Sequence, residues 1–265
     1  MPHRIRLVVA LVAVLLAAAL VVVLLSLRSG STDPSATPAP AATGMTTAEA
    51  SPTYSPTDAY GSPEPGLAQG EVRTGMGGET TGPADLPVGY TRTEAGAVSA
   101  ATNYLVWMNS LRIVDKTTAD AMAAASASDD STRQALVESF DQLRTGMGEL
   151  TTDEEQPNRG AFAVASYSSS RATVYVWAPE VTTSGGQIDH AWSIDAVDLV
   201  WASGDWKLDG RLIARTGAAA VDPADPEGNP TPSEKHAILQ RTPADPGEIA
   251  DSADQTWFEY ADAAR

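Results

Sequence analysis

Asp195 and Asp198 stand in a stretch that is otherwise partly apolar. A carboxylate in such surroundings can serve as a general base once burial raises its pKa. The same side chains could equally face water on the outer side of a sheet. His190 adjoins Asp189, the one histidine–carboxylate pairing near the expected core, since His3 and His236 lie towards the two ends. Proton transfer needs such a pair turned towards one pocket, whereas neighbours in a strand point to opposite faces. That geometry favours a solvated strand end. The last aromatic group, Trp257, Phe258 and Tyr260, either docks back on the domain or forms an exposed partner-binding motif.

Other chemistries lack their residues. The chain has no cysteine, which removes disulfides, Cys-bound zinc and thiol catalysis together. No His/Asp/Glu group has metal-ligand spacing. No Gly-rich loop follows a strand as a phosphate cradle, and no Gly-x-Ser-x-Gly elbow occurs. Gly75-Met76-Gly77-Gly78 falls in a linker-like stretch, and Trp177, Trp192, Trp201 and Trp206 read most simply as core, with an aromatic-lined pocket as the alternative. The expectation is a chain that is not an enzyme and takes neither cofactor nor metal.

The elements that would position these residues begin with residues 7–27, LVVALVAVLLAAALVVVLLSL, an uncharged apolar run. A helix of that length spans roughly 30 Å, the hydrocarbon thickness of a bilayer. Arg4 and Arg6 ahead of it predict a cytoplasmic N-terminus at 1–6 and an extracellular remainder. The run exceeds a signal-peptide core and Arg28 closes it like a stop; a cleaved signal is the alternative.

Charge is unevenly placed. Three of the 17 basic residues, Arg4, Arg6 and Arg28, precede residue 29, so 34 acidic residues face 14 basic ones in 29–265. Such a surface repels phosphate backbones, and nucleic acid is excluded as a partner.

Residues 29–86, more than half Pro, Gly, Ser and Thr, read as a disordered linker whose strongly aliphatic side chains are Leu67, Val72 and Leu86. An extracytoplasmic domain is then expected over 87–215. Thr91-x-x-Glu94 offers a capping box, and Ala97, Ala101, Tyr104, Leu105 and Met108 recur at helical spacing. Trp107 and Leu111 broaden that stripe. A short Ala-rich helix near 116–127 follows, then a third helix capped by Asp129-Asp130 with Leu136, Phe140, Leu143 and Met147 on one face. After the polar loop TTDEEQPNRG, residues 161–168, 171–178, 190–202 and 205–213 alternate with period two. Ser203-Gly204-Asp205 between Trp201 and Trp206 signals a tight hairpin. The apolar phase of 191–201 slips near Val197-Asp198, which predicts a bulge. Residues 216–265 read as a Pro-rich tail, with a short helix over 233–240 capped by Ser233 and the aromatic segment docking on the domain. Helices followed by bent antiparallel strands predict an α+β fold, helices on a curved, cone-like sheet.

Pro87-Val-Gly-Tyr90, Thr93-Glu-Ala-Gly-Ala-Val98, Ala100-Ala-Thr-Asn-Tyr104, Val174-Tyr-Val-Trp177, Leu199 to Leu208 and Phe258-Glu-Tyr-Ala261 resemble, in that order, the motifs of an uncharacterised family of actinobacterial single-pass membrane proteins. Only 3 Lys stand beside 14 Arg, a bias typical of high-GC genomes. More distantly, the element order resembles the nuclear-transport-factor-two-like (cystatin-like) fold of TcpC-type conjugation scaffolds and Mce-associated membrane proteins. The resemblance implies a non-enzymatic interaction or scaffold module of the cell envelope, with a conjugation or secretion apparatus as one setting. Its partners would be the cytoplasmic membrane, through residues 7–27, and envelope proteins or a second copy. The rival expectation is a small-molecule binder or a cone-cavity enzyme using an inward Asp195 or Asp198.

Overall fold

The computed structural model describes residues 66–147, 150–210, 228–240 and 254–264. The apolar run 7–27 and residues 29–65 of the expected linker lie outside them. Among the described residues no helix is long and apolar enough to cross a membrane.

Four helices pack on a mostly antiparallel sheet that does not close. The helices are α1 (Glu94–Met108), α2 (Lys116–Ser126), α3 (Asp130–Gly146) and α4 (Pro232–Leu239). The strands are β1 (Ala68–Gln69), β2 (Gly78–Thr81), β3 (Pro87–Tyr90), β4 (Leu150–Glu155), β5 (Ala161–Tyr167), β6 (Arg171–Ser184), β7 (Gln187–Ala202), β8 (Asp205–Leu208) and β9 (Trp257–Glu259). The main sheet runs β1-β9-β5-β6-β7-β8, with β4 on the far half of β6, while β2 and β3 form a separate ribbon.

Side-chain hydroxyls and carboxylates start the helices. Asp115 and Asp129 each accept a backbone N–H of the first turn of α2 and α3, at 2.7 Å. At α1 the cap is Thr93, which accepts from Gly96 N at 3.1 Å, and the expected Thr91–Glu94 box does not form. Thr91 is held in the preceding turn, where its carbonyl accepts from Thr93 N and from the Trp206 indole, both at 2.9 Å. A true capping box occurs instead at Thr231 and Glu234, so the cap of α4 lies two residues ahead of the expected Ser233.

α1 is buried without a break from Gly96 to Leu105, and again at Trp107, because it lies against the sheet with β3 and further elements around it. The space between α1 and the sheet is filled by Leu86, Tyr90, Tyr104, Leu105, Trp206 and Tyr260, none more than 2% exposed. A second core occupies the other face of the sheet, where Trp177, Trp192 and Trp257 meet Leu239 of α4.

This two-sided burial corrects the expected bulge in 191–201. β6 and β7 pair without a register shift from Arg171–Val200 to Ser184–Gln187. Trp192 and Ile194 belong to the second core, while Val197 and Leu199 belong to the first. The apolar phase changes because the strand serves two cores in turn.

The domain also starts earlier than residue 87. Gly78–Thr81 pairs with β3, Ala68–Gln69 pairs with β9, and Leu86 is fully buried. Leu67 packs on the second core and Val72 accepts from Ala261 N at 2.8 Å. The few aliphatic side chains of that stretch are its anchors, which composition alone averages away. β7 and β8 are joined by Ser203 and Gly204, both at positive φ (54° and 81°), as a twisted two-residue hairpin requires.

Candidate functional site

The first half of the expected polar loop TTDEEQPNRG, residues 151–155, belongs instead to strand β4. It pairs with β6 so that Glu155 stands directly across from Glu180 and Asp153 across from Thr182. Next to them on β7, Asp195 is opposite Val176 and therefore lies on the same face as Val174, Val176 and Ala178, the face that α1 covers. Four carboxyl groups from three adjacent strands thus share one end of the interior. Asp153, Glu155 and Asp195 are each 5% exposed, and Glu180 is half-buried.

Apart from one another, their partners are few and neutral. Asn109, the residue that ends α1, donates from Nδ2 to Glu155 Oε2 at 3.0 Å. Ser193 Oγ donates to Asp195 Oδ2, also at 3.0 Å. Asp153 Oδ1 and Glu155 Oε1 are buried without a hydrogen-bond partner. Among the described residues no Lys, Arg or His forms an ion pair with any of the four.

Electrostatics follow from this arrangement. Burial pushes the Glu180 carboxyl up to about 8, helped by the charge of Asp153, a hydrogen bond shared with it, and the charge of Asp195. Burial raises Asp195 to about 6, against the opposing bond from Ser193. Glu155 is held well above the carboxylate range by burial first, then by Asp195 and Glu180, despite the bond from Asn109. Asp153 is raised by burial, and the bond to Glu180 works the other way. Carboxyl groups this close titrate as a set, sharing protons above the ordinary carboxylate range. That is the chemistry the arrangement supports.

The residues singled out from sequence fall in different places. Asp195 is inward and belongs to this cluster. Asp198, considered as its equal, sits on the opposite face, where its Oδ1 accepts from Thr173 Oγ1 at 2.6 Å. His190 pairs across the ladder with Val181, and its Nδ1 lies 3.4 Å from Arg159 Nη1. Asp189 accepts the backbone N–H of His190 at 3.0 Å, while the His190 ring lies against Arg159, so imidazole and carboxylate do not act on one point. Trp257 is 3% exposed in the second core; Tyr260 is fully buried with its phenol 2.9 Å from Thr102 Oγ1. Phe258 packs on Phe162 with ring centroids 5.8 Å apart. These three aromatics are core.

Asp153, Glu155 and Glu180 went unread because acids beside Thr and Gln look like solvated surface. The available signal was the run Leu-Thr-Thr-Asp-Glu-Glu, whose threonines suit a strand and whose alternation would have turned Asp153 and Glu155 to one face. Among the described residues no group of His, Cys, Asp or Glu is arranged to hold a metal ion. An open groove of about 520 Å³, lined by Ala124, Ala127, Asp129, Asp130 and Arg133, contains none of the candidate residues.

A family model described as Domain of unknown function (DUF8175) matches residues 28–225. That range ends before α4 and β9. No curated protein and no solved structure matches the chain.

Proposed function

We propose that this chain, which belongs to the DUF8175 family, is a non-enzymatic interaction or scaffold module anchored in the cytoplasmic membrane by residues 7–27, with its α+β domain outside the cell. The observation that carries the reading is the filled interior. Tyr90, Tyr104, Trp206 and Tyr260 occupy the space between α1 and the sheet, and the inward carboxyl groups meet one another rather than an open pocket. In an actinobacterial envelope the module would serve an assembly, a conjugation or secretion apparatus being the setting its resemblance suggests. The helix-on-sheet order is in keeping with a cone of the nuclear-transport-factor-two-like type. The uncharged 21 residues preceded by Arg4 and Arg6 support the anchor.

Crosslinking in native membranes followed by pull-down tests the function, with discrete envelope proteins or a second copy as the expected partners. Protease shaving of intact cells tests the topology and should digest the domain while sparing the span. A soluble, N-terminally shortened product would overturn the anchor. A small molecule retained by the purified domain and lost with Asp195→Asn would favour the rival reading, a binder or enzyme using that inward carboxyl.

A further inference from the structure

We propose that protons shared among Asp153, Glu155, Glu180 and Asp195 latch β4 onto β6, so that β4 is a flap that is closed in acid and released as the four groups ionise. This goes beyond a scaffold role, because it gives the domain a state that follows the pH outside the membrane.

Two independent features meet here. The first is placement: β4 is an edge strand whose ladder runs to β6 alone and is interrupted by a register shift between Leu150 and Thr152. Few side-chain contacts reinforce it: Thr152 Oγ1 to Thr183 Oγ1 at 2.6 Å, Thr151 Oγ1 to Thr183 O at 3.2 Å, and Asn109 to Glu155. A bridge between Ser110 and Glu154 ties the strand to the start of the 3-10 turn. The second feature is the pair of orphan acceptors, Asp153 Oδ1 and Glu155 Oε1, each buried with no donor. A buried carboxylate oxygen without a donor is costly, and a proton on the group removes the charge that makes it so. The ligand that relieves both oxygens is the proton.

Each neighbouring element adds an acid, a neutral group, or a cation bonded elsewhere. β6 brings Glu180 and β7 brings Asp195. The end of α1 brings the amide of Asn109, and the residue after β9 brings the phenol of Tyr260, which feels the charge of Glu155. Glu154 lies exposed on the other face of β4 and adds negative charge near Asp153. Arg112 of the 3-10 turn donates to Ala84 O, and Arg159 donates to Gln156, Asn229 and Gly228. When the set ionises, like charges face each other across the β4–β6 ladder with no cation between them, and the edge strand, held on its other side by a single bridge, gives way.

Hydrogen exchange on the full-length chain tests this, with protection corrected for the intrinsic rate. Amides of Thr152–Glu155 should lose at least about tenfold protection between about pH 5 and pH 9, while those of Ala161–Val164 on the other half of β6 hold theirs. Glu155→Gln and Glu180→Gln should each flatten that dependence and leave β4 protected at high pH. If Glu155→Gln does not fold, the half-buried Glu180→Gln carries the test alone. Protection in β4 that ignores pH overturns the proposal. So does a dependence that survives in the variants, or a loss shared equally by both halves of β6.

Discussion

Lys235 of α4 and Glu259 of β9 meet at 2.8 Å, Nζ to Oε1, with 0% and 2% of their side chains exposed. The ammonium group also reaches Gly160 O at 3.4 Å. Removing one partner of such a pair strands a buried charge, whereas replacing both with apolar groups is often tolerated. Lys235→Met should therefore cost about 3–5 kcal/mol in urea unfolding, and Lys235→Met with Glu259→Leu should recover most of it. A double variant no better than the single one would show that the pair matters through its polar contacts alone.

Trp201 and Trp206 are direct cross-strand partners in the β7–β8 hairpin, with ring centroids 5.4 Å apart and planes at 78°. Trp206 is fully buried; its indole donates to Thr91 O, and its carbonyl accepts from the Tyr104 phenol at 2.7 Å. Trp206→Ala is expected to cost about 3–5 kcal/mol by thermal or chemical denaturation. Trp201→Ala, at a half-buried position, should cost clearly less.

Asp205 receives Gly89 N at 3.0 Å, Tyr90 N at 2.8 Å, Trp206 N at 2.9 Å and Lys207 Nζ at 2.8 Å. One carboxylate thus fixes β3 to the hairpin. Asp205→Ala takes this acceptor from the three backbone donors, while Lys207 keeps its bond to Ala125 O; the loss should reach at least about 2 kcal/mol, since each buried orphan donor costs about 1–3 kcal/mol. Asp205→Asn should fall between alanine and the native residue in the same melts.

The buried acids predict an unusual pH profile. Their folded-state pKa values are raised, to about 6 at Asp195 and about 8 at Glu180. The stability they contribute is fully present below the unfolded carboxylate value of about 4 and is lost as pH rises through the folded values. The melting temperature should fall between pH 5 and about pH 9. Asp195→Asn should narrow that fall and gain most at the alkaline end. A melting temperature that rises over the same range would contradict the burial of these groups as charged-form penalties.

Deleting 251–265 removes β9, and with it the one ladder partner of β1 among the described residues and one edge of β5. Tyr175 then loses the Trp257 ring, the second core loses a member, and Thr102 loses the Tyr260 phenol. The truncated chain should melt far below the native one or fail to fold; equal melting temperatures would show that β9 contributes nothing.

Periodicity made the three helices of 94–146 and the β7–β8 hairpin legible, because each buries a face that repeats at its own period. Trp201 and Trp206 flanking Ser203-Gly204 fixed even a pairing. What escaped was set by partners distant in sequence. The two strands before Leu86 exist because β3 and β9 supply their edges, and no local pattern announces that. Asp195 could be read as inward-facing or solvated, and only the continuous β6–β7 register decides for inward. Its companions lie 40 and 42 positions earlier, at Glu155 and Asp153, so their meeting is a property of the sheet.

β9 lies between β1 and β5, and the side chain of Gln69 donates to the carbonyl of Ala261 across 192 positions of chain. A ribosome releases β1 and β5 long before the strand that separates them. Until it arrives, β5 offers a bare edge and the tryptophans of β6 and β7 lack their third member. Closing so long a loop is slow, and non-local strand pairing dominates the folding time of such topologies. The growing polypeptide therefore passes through a period in which it is long, sticky and unfinished, and that interval is when its bare edge is open to a wrong partner.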